Sequence, residues 1–319
     1  AWLGVVIAKL LEKHPELRYQ TAQAVLDDFL SGKQYNNVVD FQPGTTDRVE
    51  QIVTPQKLYG RGDISATLSG LYERTKHSEV LFANIVGGPG MGKSAAVRSL
   101  ERLATQINNT TACIDGRVDE FNDAVDLCAA LCSQVTRKLL SMPPNTHEVL
   151  FDRINARGDR IAPLIQRIPE LDALITKNQS PVGSIESALS EFMSLLGNSG
   201  TVFILENAQL APASCVAEFI TRCLDVRGLF VAMTWSDDPG IEFSDPRVAT
   251  KSTLLPLTAL SKAALRDLLS DMLQLSQARV RELAGEVRLK TDGIPSLIHE
   301  LIHDLHADAL IFYDRVQES

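Results

Sequence analysis

The stretch Gly87-Gly88-Pro89-Gly90-Met91-Gly92-Lys93-Ser94 constrains this chain more than any other. It fits G-x-x-x-x-G-K-[ST] at every fixed position: Gly87, Gly92, Lys93 and Ser94. A glycine-rich turn of this kind points successive backbone N–H groups inward, where they cradle phosphate oxygens. Lys93 is expected on the β- and γ-phosphates and the Ser94 hydroxyl on Mg²⁺. A helix that opens here, with Ala95 in its first turn, adds its positive end to the same anion site. The flanks agree. Val80–Val86 is an apolar run that reads as a buried strand, and Ala95–Gln106 carries Val97, Leu100 and Leu103 at helical spacing. Strand, loop, helix is the order a phosphate loop requires.

The chain has 319 residues, enough for about two domains and a large core. A hydrophobic share of 45% and a charged share of 22% are those of a soluble globular protein. The net charge of −9 argues against a general nucleic-acid surface, which needs clustered Lys and Arg. No apolar run reaches the roughly 18 residues of a membrane span, and no signal peptide is visible. The chain opens without Met, which reads as a fragment. Cys113, Cys128, Cys132, Cys215 and Cys223 form no C-x-x-C pair. They read as reduced, buried thiols of a cytoplasmic protein.

The pattern divides the chain. Residues 1–33 read as a small helical hairpin, with Val6, Leu10 and Leu11 on one apolar stripe and Ala22, Val25, Leu26 and Phe29 on another, broken at His14-Pro15-Glu16. Residues 34–56 are a polar linker dotted with Gly and Pro. Residues 57–258 alternate strand and helix. Strands are expected at Val80–Val86, Thr111–Asp115, Thr201–Leu205, Leu229–Thr234 and Ser252–Leu255, so the fold class is α/β with a parallel sheet. Residues 141–183 interrupt the rhythm and read as a helical insertion. Residues 259–319 carry only helical patterns, at Ser261–Leu273, Gln277–Leu289 and Pro295–Leu305.

A phosphate-loop enzyme needs an acid at the end of a second strand to hold Mg²⁺, and hydrolytic members add another to activate water. The strand Val202-Phe203-Ile204-Leu205 ends in Glu206, at the carboxyl edge where ligands bind in such sheets. Glu206 is therefore the expected metal-shell acid. Asn207 stands next to it and cannot accept a proton at neutral pH.

These stretches together resemble one family. KLLEKHPELRYQTA at Lys9–Ala22, TPQKLYGR at Thr54–Arg61, GGPGMGKSA at Gly87–Ala95, IPELDALI at Ile168–Ile175 and ENAQLAPAS at Glu206–Ser214 are similar to the STAND/AAA-type P-loop ATPase domain of large hybrid serine/threonine–histidine signalling kinases, with the tail of a protein-kinase-like domain before it. The resemblance implies a P-loop NTPase (AAA-like) core with a C-terminal helical lid, preceded by a short all-helical kinase-tail fragment. Arg18 falls on that tail's structural arginine. Kinase chemistry lies upstream of the tail, so no phosphotransfer follows from it. Gly293-Ile294-Pro295 matches the lid's G-x-P motif, whose proline packs near adenine. The chain also departs from the family. The pattern D-D-x-Q-W-A-D is here Glu206-Asn207-Ala208-Gln209-Leu210-Ala211-Pro212, a degenerate Walker B. The pattern Y-R-D-N is here Trp235-Ser236-Asp237-Asp238, with Ser236 in place of a cation.

His299-Glu300-Leu301-Ile302-His303 spells H-E-x-x-H, a zinc-protease pattern. A third ligand is required, and His306 on the same helix cannot close a tetrahedral site. The expected function is an ATP- and Mg²⁺-binding regulatory module that switches conformation for attached kinase and sensor domains, with slow hydrolysis. An active ATPase and a nucleotide-free interaction scaffold are the alternatives. Lys93 and Ser94 speak against the scaffold, and the Glu206–Asn207 pair against fast turnover.

Overall fold

The computed structural model describes residues 2–12, 18–19, 21–32, 41–45, 55, 57–75, 79–106, 110–116, 121, 123–143, 146–175, 181–236, 245–308 and 310. They belong to two compact units. One comprises Gln56–Leu265 with Arg288–Leu297, and the other Ala1–Pro55, Arg266–Val287 and Ile298–Ser319.

The smaller unit opens with helices α1 (Trp2–Leu10) and α2 (Ala22–Gly32). Thr21 begins α2 by accepting from the Ala24 amide through its hydroxyl at 3.1 Å. The buried face of α2 is Ala24, Asp28 and Gly32, not the expected Ala22, Val25, Leu26 and Phe29. The reason lies in partners outside the helix. The Trp2 ring lies so close to Gly32 that a Cβ there would meet it at 2.4 Å, and the same ring stacks edge-on against Phe29 and Phe41. Asp28 is buried because it accepts from the Gly44 amide at 2.6 Å and from the Tyr19 hydroxyl. On α1 only Val6 is buried, while Leu10 and Leu11 face outward. His14, Pro15 and Glu16, where the helices were expected to break, lie outside the described residues, as does most of the linker.

The larger unit holds helix α3 (Gly62–Thr75) and a five-stranded sheet. The strands are β1 (Leu81–Val86), β2 (Thr111–Asp115), β3 (Val202–Glu206), β4 (Phe230–Trp235) and β5 (Ser252–Pro256), in the order β2-β3-β4-β1-β5. Every pairing is parallel. All five expected strands form, within about one residue of their expected ends. The helices between them are α4 (Lys93–Gln106), α5 (Ala124–Ser141), α6 (Glu148–Ala156), α7 (Gly158–Ile161), α8 (Ile185–Gly197), α9 (Ala213–Cys223) and α10 (Pro246–Lys251).

Alternation along the strands builds two cores. Phe82, Phe203, Leu205, Val231 and Met233 face α5, α8 and α9. Leu81, Ala83, Ile85, Val202, Ile204, Phe230 and Ala232 face α3 and α4. Each fully buried Val, Leu, Ile, Phe or Met side chain among them contributes about 1.5–3 kcal/mol. Asn84 is the polar exception inside β1, and the Trp235 indole N–H satisfies it at 3.0 Å. The expected insertion is helical over α6, α7 and two 3₁₀ turns, Ala162–Gln166 and Pro169–Ala173. It is not peripheral, because Ile154, Ile161, Leu164, Ile168 and Leu171 all enter the first core. Arg61, part of an Arg-Gly-Asp tripeptide, is buried and donates to the Thr258 carbonyl.

Three helices close the described chain: α11 (Lys262–Leu273), α12 (Arg281–Thr291) and α13 (Pro295–Ala307). The expected helix from Gln277 starts four residues later, because Gln277–Val280 turn first. Among the described residues no helix is long and apolar enough to cross a membrane.

Candidate nucleotide site

The phosphate loop joins β1 to α4, as the sequence requires. Gly87 extends the sheet by donating to the Trp235 carbonyl at 3.1 Å. Gly88, Pro89, Gly90, Met91 and Gly92 make the turn, tightened by the Met91 amide on the Gly88 carbonyl at 3.4 Å. The amides of Ala95 and Ala96 both donate to the Gly92 carbonyl, so α4 starts directly at the loop. The amides of its first residues then have no acceptor within the helix and are aimed at the loop's anion site. Lys93 curls over the loop: its Nζ donates to the carbonyls of Gly87 at 2.6 Å and Gly88 at 3.0 Å. The ammonium is thereby held over the turn that would receive phosphate.

Gly90 sits at the loop's apex with φ of +74°. A Cβ there would lie 1.9 Å from the Ser296 hydroxyl. Ser296, the residue after Pro295, donates its amide to the Gly90 carbonyl at 3.2 Å. The G-x-P segment therefore lies against the loop within the same unit. It is anchored by Leu260, whose amide donates to the Gly293 carbonyl at 2.8 Å and whose carbonyl accepts from Arg288.

Glu206 ends β3 facing α4. Its carboxylate accepts from the Ser94 hydroxyl at 3.4 Å, long for a direct O–H···O bond but close enough for both oxygens to share one cation. A hydroxyl and a carboxylate are hard oxygen donors, the chemistry Mg²⁺ prefers. Burial pushes the Glu206 carboxyl above the ordinary glutamate range. The Ser94 hydrogen bond opposes that, Asp115 and Glu101 raise it further, and Arg98 lowers it. A cation at this spot would favour the charged form again.

Asn207 does not face the loop. It adopts a left-handed backbone (φ 51°), donates its amide to the Thr234 hydroxyl at 2.8 Å, and turns its side chain toward β2. There its Nδ2 donates to Asp115 at 3.0 Å. Asp115 is the group that the sequence reading missed. The available signal was an acid ending the second strand, followed by Gly116. Ser236 follows β4 and its amide donates to the Gln209 side chain at 3.3 Å, so no cation is supplied at that position. Asp237 and Asp238 lie outside the described residues. Burial pushes the Cys113 thiol up to about 12, with the Glu206 and Glu101 charges adding to it, so the thiol beside this site is inert.

In the H-E-x-x-H stretch, burial and the neighbouring His303 lower the basicity of His299. Among the described residues no three His, Cys, Asp or Glu side chains gather as a metal site.

A parallel sheet with a phosphate loop after its β1 strand and an acid closing β3 defines a P-loop NTPase. The model of the AAA ATPase domain matches residues 57–279, and the chain belongs to that family. Nucleotide binding, usually with Mg²⁺, is the property such a domain carries. Among solved structures, the chain is similar to Cdc6p from Pyrobaculum aerophilum, at 15% identity and a TM-score of 0.51, over 81% of this chain and 64% of that one. It is also similar to the Orc1 protein of Aeropyrum pernix, solved in complex with DNA, at 14% identity and a TM-score of 0.50, over 81% of this chain and 62% of that one. The chain thus spans less than two thirds of either, and at such identities the likeness is one of fold. No curated protein shows significant similarity.

Proposed function

We propose that this chain is an ATP-binding regulatory module whose nucleotide state sets the conformation of domains attached to it. The observation that carries the reading is the phosphate loop itself, with Lys93 poised over the turn and Ser94 paired with Glu206. Ser94 and Glu206 would hold Mg²⁺, which supplies charge neutralisation on the phosphates when bound. The Ser296–Gly90 contact supports a switch, because phosphates entering the loop must act on the segment that carries Pro295. Hydrolysis is slow in this reading, since Asn207 has no proton-accepting group and Ser236 brings no charge to the transition state.

The attached domains are those of a cytoplasmic hybrid signalling kinase. The resemblance of residues 9–22 to a kinase tail supports this, as do Leu3, Ile7, Leu10, Leu26 and Leu30, apolar residues exposed on α1 and α2 that a folded upstream domain would cover. Nucleic acid is not a partner in this reading. The DNA belongs to the Aeropyrum pernix complex, and a chain of net charge −9 is poorly suited to neutralising phosphates.

ATP with Mg²⁺ should raise the melting temperature by linkage. Lys93→Ala removes charge-assisted hydrogen bonds worth about 1.5–3 kcal/mol, and should weaken ATP about 10- to 100-fold. Titration calorimetry and thermal melts check both. Identical melts of wild type and variant, with and without millimolar ATP, would give the case to the scaffold.

A further inference from the structure

We propose that Asp115 supplies the carboxylate that position 207 lacks, receiving the proton of the water that attacks the γ-phosphate, with Asn207 as its positioning residue. The inference rests on the ATP-binding reading above.

The geometry is specific. β2 and β3 run parallel with Asp115 opposite Glu206, so both carboxylates stand on the carboxyl edge of the sheet at the same height. They are one strand apart, a spacing of about 4.8 Å. The left-handed turn at Asn207 aims its side chain along that edge rather than toward the loop. An ionised carboxylate only accepts hydrogen bonds, so the 3.0 Å contact fixes the Asn207 amide with its NH₂ group on Asp115. The next residue lets the strands approach this closely. Gly116 donates its amide to the Glu206 carbonyl at 2.7 Å, and a Cβ on it would lie 2.6 Å from the Asn207 carbonyl oxygen. Two adjacent pairs, Asp115-Gly116 and Glu206-Asn207, are thus interlocked at the one place where a sheet of this kind does its chemistry.

The division of labour follows. Glu206 lies against Ser94 and belongs to the metal. Asp115 stands one strand further out and reaches the attacking water through one bridging water. The water oxygen bonds to the γ-phosphorus while its proton passes to Asp115. The bond from the γ-phosphorus to the bridging oxygen breaks, and its electron pair stays on the β-phosphate of ADP. Asp115 then returns the proton to solvent. The longer route predicts turnover that is slow but not abolished.

The test is single-turnover hydrolysis of γ-labelled ATP by the whole chain, with ATP affinity measured on the same samples. Asp115→Asn keeps the shape, and its amide oxygen still accepts from Asn207, so a merely structural role predicts no change in rate. The expected result is a rate about 100-fold lower with unchanged affinity. Asp115→Glu keeps an acid on β2 and should retain much of the rate that Asp115→Asn loses. Equal rates in wild type and Asp115→Asn, including both at background, overturn the inference and leave the binding reading intact. Asp115→Glu no faster than Asp115→Asn overturns it too, and covers the case in which the Asn variant folds poorly. Failure of wild type to bind ATP overturns both readings together.

Discussion

The phosphate loop and the acidic end of β3 share one sheet edge but are held in different ways. The loop is assembled from contiguous residues. Within Gly87–Ser94 the Met91 amide bonds to the Gly88 carbonyl, and Lys93 folds back on carbonyls five and six residues before it. The acidic end is assembled across strands: Asp115 comes from β2, Glu206 and Asn207 from the end of β3, and Thr234 from β4. A contiguous site tolerates change elsewhere in the chain, because its geometry is set by local backbone. A site pieced together from three strands drifts when any one of them shifts. The loop fits its motif at every fixed position, while β3 ends in one acid, Glu206, followed by the amide of Asn207. The two regions should therefore be open to separate damage.

One glycine from each side separates the two regions most strongly. Gly116→Ala drives a Cβ toward the backbone of Asn207, which cannot rotate away, and should cost about 1–3 kcal/mol as an overpacked site. At about 2–4 °C of melting temperature per kcal/mol, the loss is readily seen. Hydrolysis should fall while ATP affinity holds. Gly90→Ala meets the Ser296 hydroxyl, which can swing aside, and the Ser296 Cβ at 2.9 Å, which cannot, and it forces a left-handed backbone on alanine in the loop itself. There the affinity should fall. Equal loss of affinity in both variants would mean that the two regions behave as one unit.

The same contrast explains what could be read from the residues alone. Strands β1 to β4 and the loop were legible because burial leaves apolar runs in a parallel sheet, and because the loop's chemistry lies in eight consecutive residues. The role of Asp115 was not legible. Its partner is 92 positions away, and only the register of β2 on β3 brings them together. The buried face of α2 was misjudged for a related reason. Aspartate and glycine read as surface residues until the Gly44 amide and the Trp2 ring are in place around them. Helix α10 was missed because six residues are too few to show a period; Asp245 caps it by accepting from the Arg247 amide at 2.8 Å.

A smaller effect tests the acid side by charge. Asn207→Asp alone replaces the amide donor with a second carboxylate beside Asp115. The hydrogen bond to a charged group is lost and two like charges face each other. Stability without nucleotide should fall by about 1 kcal/mol at pH 8. Denaturant midpoints of the two proteins measure it. A variant as stable as wild type at pH 8 would show that solvent separates the two side chains and that the Asn207–Asp115 bond holds nothing in place.

The smallest effect concerns Glu206 and separates the metal-free state from the loaded one. Burial raises its carboxyl above the ordinary glutamate range, so between that range and the raised value the folded chain binds more protons than the unfolded chain. Stability from this group is then fully present below the ordinary range and is lost as pH rises through the raised value. Glu206→Gln cannot ionise and is immune to the change. The stability of wild type relative to Glu206→Gln should therefore decline with rising pH across that window in metal-free buffer. The carboxylate is only half buried, so the slope is shallow. With ATP and Mg²⁺ the sign reverses, because a cation between Ser94 and Glu206 favours the charged form. Melts of the two proteins over pH 4–8, with and without Mg·ATP, give both slopes. A flat difference without metal would mean that water already solvates the carboxylate. A difference that fails to reverse on loading would mean that the cation sits elsewhere, and that the long Ser94–Glu206 contact is not its seat.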